Sequence, residues 1–332
     1  MIHFNFKLRY LLVASTLSCM LFISPAQAQK SIKDIAEMKD KQWGKFVKTS
    51  FTGAYWLEGL TSVGLLDADK TPQPKKIGLL TMQLYTASAS TSNTAGNWTT
   101  TTYFTTSEEG SKLLIENLKE YMLPAMKQAF NEVDIQLLEP AEFADTPEKK
   151  EIYMNSRDEI ETGGFTQMIT SSLENGKETN FAGTVPEGYT WYPVTAGVLD
   201  VDVKGPSGYG ELAEKLGLDG VLVVTILTTT HRKYISLNKV EMGVAGPIND
   251  NPEAEYNGRI NSKSMNTARG GVMYGYAGIE RMEIPIIELK RGEFQAHYLE
   301  GFDVVSSRLS KTLTERLVEL RNWQPKKARK KK

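Results

Sequence analysis

The stretch Glu211–Leu227, ELAEKLGLDGVLVVTIL, constrains the fold more than any other part of the chain. Leu212, Ala213 and Leu216 recur at spacings of three and four, so they stripe one side of a short helix. Gly217 follows, and glycine takes the left-handed backbone that closes a helix without a Cβ penalty. VLVVTIL is then apolar or nearly so throughout, and a strand without a polar face has to be covered on both sides. Helix, glycine turn and interior strand in that order imply a layer of helix packed on a sheet. Gly208, Gly210, Gly217 and Gly220 do not fit the GxGxxG spacing of a dinucleotide site, so the stretch reads as framework.

The two ends set the compartment. The chain opens MIHFNFKLRYLLVASTLSCMLFISPAQAQK. Lys7 and Arg9 precede an apolar run from Leu11 to Ile23, and Ala26-Gln27-Ala28 is a small-x-small cleavage site. This is the pattern of a secretory leader, too short and wrongly flanked to span a membrane. Cleavage after Ala28 makes Gln29 the first exported residue. The single cysteine, Cys19, lies inside the leader. A lipoprotein reading would lipidate it, but Thr16-Leu17-Ser18 is a poor lipobox and Met20–Ile23 continues the apolar run beyond the thiol. Cleavage at Ala28 leaves no cysteine, which excludes disulfides, cysteine nucleophiles and thiolate metal sites together. No later segment reaches the apolar length of a transmembrane helix.

At the other end PKKARKKK places Lys326, Lys327, Arg329, Lys330, Lys331 and Lys332 in one string. The formal charge is −1 for the whole chain, −3 without the leader and about −9 for the body without this tail. An acidic body with a basic string suits contact with anionic lipid or lipopolysaccharide; a solvated, solubilising tail is the plainer reading. The acidic body argues against nucleic acid.

Between the ends, Ser31 to Lys48 carries Ile32, Ile35, Ala36, Trp43 and Phe46 at helix-like spacing and is expected to form one amphipathic leading helix. Asp67–Lys75 is a proline-bearing linker. KKIGLLTMQLYT reads as a first strand, and the Ser/Thr/Asn-rich stretch from Ala87 to Thr106 as an exposed strand or hairpin arm. Thr106 and Glu109 suggest a capping box for a long helix with Leu114, Leu118, Tyr121, Met122, Ala125 and Ala129 on one side and a kink at Pro124. VDIQLLEP is a second strand, and Glu142–Arg157 a short polar helix. Asp158–Gly210 reads as hairpins and loops. THRKYISLNKVEMGV extends or pairs with the buried strand, and Asn249–Arg269 is a polar loop. GGVMYGYAG precedes two strands that turn at Lys290-Arg291-Gly292. The last helix carries Val304, Val305, Leu309, Leu313, Leu317 and Leu320.

The expected class is α+β: a small mixed sheet with helices packed on one face, hairpin and loop insertions, and amphipathic helices at both ends. The division is a leader (1–28), an N-terminal helical segment and linker (29–74), an α/β domain (75–324) with insertions near 158–208 and 246–280, and a basic tail (325–332).

Signals for chemistry are sparse. His231 and His297 have no metal-ligand spacing. There is no GxSxG elbow, no phosphate loop and no EF-hand loop. Glu159 with Glu161, and Asp200 with Asp202, alternate by two and would share one side of a strand, the arrangement of solvated strand faces or, with convergence in space, of a hydrolase. Tyr189, Trp191 and Tyr192 in EGYTWYPV could form a sugar or peptide platform, or pack as core and rim. Neither a catalytic, metal nor cofactor set is assigned.

The order KKIGLL strand, long helix, IQLLEP strand, AEKLGLDGVLVVTI, IPIIELKRGEF hairpin and terminal amphipathic helix resembles the α/β domain of the curli-secretion (CsgG-type) proteins and the amino-terminal domain of TolB. The resemblance spans Lys75–Asn322, apart from the two insertions. It implies a bacterial envelope setting, in the periplasm or at the periplasmic face of the outer membrane, and a non-enzymatic role in binding, assembly or secretion of surface components. Other envelope proteins are the implied partners, with homo-oligomerisation open. A CsgG-type pore would also carry a lipidated cysteine and two amphipathic membrane hairpins, which the placement of Cys19 and the polar insertions do not match. A secretion-pore subunit and a carboxylate-based carbohydrate hydrolase stay as alternatives.

Overall fold

The computed structural model describes residues 30–47, 73–95, 98–104, 106–159, 182–192, 205–231, 234–247, 272–287 and 296–322. In chain order the elements are β1 (Lys30–Ser31), α1 (Ile32–Ala36), α2 (Asp40–Phe46), β2 (Lys76–Ala95), β3 (Trp98–Phe104), α3 (Glu108–Asn131), β4 (Gln136–Leu138), α4 (Pro140–Phe143) and α5 (Pro147–Glu159). They continue with β5 (Ala182–Thr184), α6 (Gly205–Leu216), β6 (Gly220–Thr230), β7 (Tyr234–Gly246), β8 (Val272–Ile287), β9 (Ala296–His297) and α7 (Phe302–Arg321).

The sheet is mixed, in the order β1-β8-β7-β6-β2-β3, with β4 and β5 also on β2 and β9 on β8. β2 runs parallel to β6 and β4, whereas β6, β7 and β8 form an antiparallel meander. The expected α+β class with a mixed sheet is therefore the observed one. The helical covering is broader than one face. Leu222, Val224 and Ile226 of β6 join a cluster with Leu118 of α3 and Leu313 of α7, while Val221 and Val223 join a second with Leu212, Ala213 and Leu216 of α6. Successive strand residues point to opposite faces, so helices lie on both. Two-sided burial is what an unbroken apolar strand demands, and each fully buried Leu, Ile or Val contributes roughly 1.5–3 kcal/mol.

A bulge between Leu79 and Thr81 sets the phase of β2. Ile77 and Leu79 lie in the first cluster, and so do Met82 and Leu84. Without one extra residue the second pair would face the opposite side.

The leading segment departs from one continuous helix. It is two short helices, α1 capped by Ser31 and α2 starting after Lys39, behind the edge strand β1, which pairs parallel with β8. Ile32, Ile35 and Trp43 belong to the main cluster, so the segment is part of the core. The Trp43 indole donates to Thr312 Oγ1 (3.1 Å), and the Arg308 guanidinium lies 4.5 Å from the Trp43 ring centroid. In α3 the cap is Ser107, whose Oγ accepts from the Gly110 amide, rather than Thr106 with Glu109. Thr106 instead bonds Thr230 of β6 through their hydroxyls. Tyr121 is exposed; Ile115, Met126 and Phe130 take places on the buried side. The helix runs on through Pro124, which lies on its exposed side.

The polar helix expected at Glu142–Arg157 is two elements, α4 and α5, and Glu159 ends α5 instead of sitting on a strand. α6 begins at Gly205, within the segment read as loops. VMYGYAG is part of β8, which is continuous to Ile287; β9 returns beside it for two residues. Val304 is exposed, whereas Val305, Leu309, Leu313, Leu317 and Leu320 are buried as expected. Asn249–Arg269, the turn at Lys290-Arg291-Gly292 and residues 160–181 and 193–204 lie outside the described residues.

Gly217 has φ +71°, and an added Cβ would meet nothing within 4 Å. Gly217→Ala is therefore expected to destabilise through the backbone alone, by about 1–2 kcal/mol in urea unfolding. At Gly183 a Cβ would lie 2.2 Å from the Trp191 ring. Gly183→Ala is expected to cost about 1–3 kcal/mol by overpacking, with the extra loss relieved when Trp191 is shortened to Leu.

Candidate functional site: an uncharged strand ribbon

From residue 77 to residue 107 the sequence contains no Asp, Glu, Lys, Arg or His. The first part of this run is the interior half of β2. It is flanked by β6 on one edge, through Ile77–Ser88, and by β4 and β5 on the other. β6 ends at Thr230, opposite Ser88. Beyond that point β2 leaves the body and pairs antiparallel with β3 alone, from Ala89↔Phe104 to Ala95↔Trp98. This is the hairpin arm expected from Ala87–Thr106, and Thr94, Ala95 and Trp98–Thr100 at its far end are exposed. Threonine and aromatics favour extended backbone, which accounts for a strand pair with few aliphatic residues.

Outward N–H and C=O groups of both arms have no strand partner among the described residues. Such edges are normally blunted by lysine, proline, inward charges or a covering element. The paired arms contain no charge and no proline. At the far end Trp98 is 82 % exposed, and the hydroxyls of Thr94 and Thr99 bond each other at 3.0 Å. An indole held out on a polar ribbon is the type of side chain that anchors a contact.

The ribbon's root is pinned. Thr228 Oγ1 donates to the Tyr85 carbonyl (3.0 Å), Thr106 bonds Thr230, and Ser107 caps α3 directly after the returning arm. His297 of β9 adjoins this root beside the Gly110 backbone, and burial lowers its affinity for a proton.

The residues singled out by sequence fare unevenly. Ala28, Gln29 and the tail cations Lys326, Lys327, Arg329, Lys330, Lys331 and Lys332 lie outside the described residues, as do Glu161, Asp200 and Asp202. Tyr189, Trp191 and Tyr192 do not make a shared platform. Tyr192 is fully buried and donates to the Tyr153 carbonyl, Trp191 packs 4.6 Å from the Tyr85 ring, and the Tyr189 hydroxyl donates to Glu139. Core and rim packing is their use. His231 stacks on Tyr234 with ring centroids 4.5 Å apart. One carboxylate pair that the sequence does not announce is Glu139 and Glu142, both bound by Lys127 Nζ at 2.7 and 3.2 Å. The Glu139 amide holds the Glu142 carboxyl below its usual range, so this pair caps α4. Among the described residues, no group of three or more His, Cys, Asp or Glu side chains is placed to hold a metal. No described helix is long and apolar enough to cross a membrane, a statement that does not extend to strands.

The histidine at the root yields a pH expectation. The unfolded chain takes up the His297 proton near pH 6.5, and the folded protein takes it up only at lower pH. The unfolded state therefore binds more protons in that window, and stability falls as pH drops below about 6.5. His297→Gln is expected to flatten this part of the stability profile in urea titrations at stepped pH; an unchanged slope would remove His297 as its source. Compared with known proteins, the chain matches no family model, no curated protein and no solved structure.

Proposed function

We propose that the chain is a non-enzymatic, exported protein of the bacterial envelope that acts by contact, joining partner proteins in the assembly or secretion of surface components. The β2–β3 ribbon carries this reading. A charge-free ribbon whose outer edges have no strand partner among the described residues, and which carries an exposed tryptophan, is suited to strand addition, in which a partner's strand supplies the missing hydrogen bonds. The leader pattern supports export, and the likeness to CsgG-type and TolB domains supports the envelope setting. The basic tail would add attraction to anionic lipid or lipopolysaccharide.

A second reading is a subunit of an oligomeric outer-membrane pore, favoured by the same ribbon. Its arms extend about 23 Å at the usual strand rise, close to the apolar band of membrane barrels. The two readings part on solubility. A contact protein leaves the envelope in salt washes without detergent, whereas a pore subunit needs detergent and migrates as a ring of copies.

Co-purification from native envelopes, with mass spectrometry of what is retained, tests both. Thr94→Lys with Thr100→Lys places charge on the ribbon and is expected to abolish partner retention, or membrane retention for a pore, while unfolding stays within about 0.5 kcal/mol of the parent. Retention unaffected by both lysines would sink the ribbon as the contact. Removing Lys326–Lys332 is expected to weaken sedimentation with anionic vesicles by about 1 kcal/mol per cation at the surface, most at low salt. Equal sedimentation with neutral and anionic vesicles would remove the lipid role.

A further inference from the structure

The second face of the sheet carries a polar row through a layer that is mainly aliphatic and aromatic. Gln83 of β2 is paired with Thr225 of β6, Thr225 with Glu241 of β7, and Glu241 with Gly278 of β8, so the four stand side by side across adjacent strands. Gln83, Thr225 and Glu241 are 0 %, 2 % and 2 % exposed. Glu241 is satisfied: its Oε1 accepts from the Tyr276 hydroxyl (2.8 Å) and from Lys239 Nζ. Gln83 is half satisfied. Its Oε1 accepts from the Tyr192 amide (3.2 Å), which fixes the orientation of the amide group.

Three polar atoms in this part of the core have no hydrogen-bond partner among the described residues: Gln83 Nε2, Thr225 Oγ1 and the hydroxyl of Tyr209 on α6. Tyr209 is 0 % exposed and its ring lies 6.4 Å from that of Tyr192, the residue bonded to Gln83. From Gly217 back to Tyr209 the helix rises about 12 Å, and from Gly220 to Thr225 the strand rises about 16 Å. With α6 taken as running back alongside β6, these rises put Tyr209 within about one strand residue of the row, in keeping with its contact with Tyr192. Burial also raises its phenol, so the hydroxyl keeps its proton. Leaving a buried polar group unpaired is costly, and three at one level of one face call for a common partner.

We propose that the row is an internal hydration site, in which an ordered water bridges Gln83 Nε2 and Thr225 Oγ1 within reach of the Tyr209 hydroxyl. The chemistry selects water. The amide offers donors and each hydroxyl both donates and accepts, so the guest has to do both in several directions. An anion is disfavoured by Glu241 one strand away.

The test uses Thr225→Val, which keeps shape and removes the hydroxyl. With the water in place, the variant deprives it of a partner, and Tm is expected to fall by about 2–4 °C. Water-oxygen magnetic relaxation dispersion on the intact protein is expected to lose the contribution of one long-lived water in the variant. A crystal structure resolving ordered solvent is expected to show density between Gln83 and Thr225. A Tm that holds or rises, an unchanged dispersion amplitude, or no solvent density between these side chains would each overturn the proposal, because a dry row gains from exchanging an unpaired hydroxyl for a methyl.

Discussion

Everything in this fold answers to the burial of β6 on both faces. A strand of Val, Leu and Ile with its neighbours hydrogen-bonded on either edge has no route to solvent, so it needs one covering layer above and another below. The chain supplies one layer from segments on either side of those that make the other. α3 and α7 close one face, and α6, with α4 and α5 beside it over β2, closes the other. The parallel pairing of β6 with β2 then fixes the connectivity, since parallel neighbours require a crossover and cannot be joined by a tight turn. The short parallel strand β4, reached from β2 through the ribbon and α3, is part of that solution.

The same logic explains the change in character along β2. Where β6, β4 and β5 flank it, the residues are Ile77, Leu79, Leu80, Met82 and Leu84, all buried. Past the end of β6 the only strand partner of β2 among the described residues is β3, and the composition turns to Ser, Thr, Ala and Asn. The contrast with the other side of the sheet is informative. β8 is shielded by the two residues of β1 and carries Glu280, Arg281 and Glu283 in the region where that cover lies. Those are the ordinary defences of an exposed edge. The ribbon has none, which favours it over β8 as the proposed contact.

Local signals were legible and long-range register was not. ELAEKLGLDGVLVVTIL announced its helix, its left-handed glycine and its two-sided strand because all three are written within one stretch. The hairpin arm was legible in its threonines. The split of the leading helix was hidden because Ile32, Ile35 and Trp43 are compatible with one helical stripe, while the break depends on β1 docking against β8. The cap of α3 slipped by one residue because Thr106 and Ser107 are equally good caps locally, and Thr106 is drawn off by Thr230, a residue distant in sequence. Gln83, Thr225 and Glu241 come from three separate strands, and the bulge between Leu79 and Thr81 decides that Gln83 faces the others at all. No periodicity could have announced that row.

A ribbon of two strands with no face to bury is marginal in water by itself. It persists only as far as its root holds it or a partner completes it. Here the root is stiff. Thr228, Thr106 and Ser107 tie the departing and returning arms to β2, β6 and the first turn of α3. The side-chain ties lie at the root, and the hydrogen bonds a partner would add fall on the part of the ribbon beyond them, where β2 pairs with β3 alone among the described residues. A contact made there captures an arm that is already extended and in register, so less conformational freedom is lost than in ordering a free peptide. The uncharged composition is consistent with the proposed contact, because any charge on the arms would have to be desolvated each time the edge was covered.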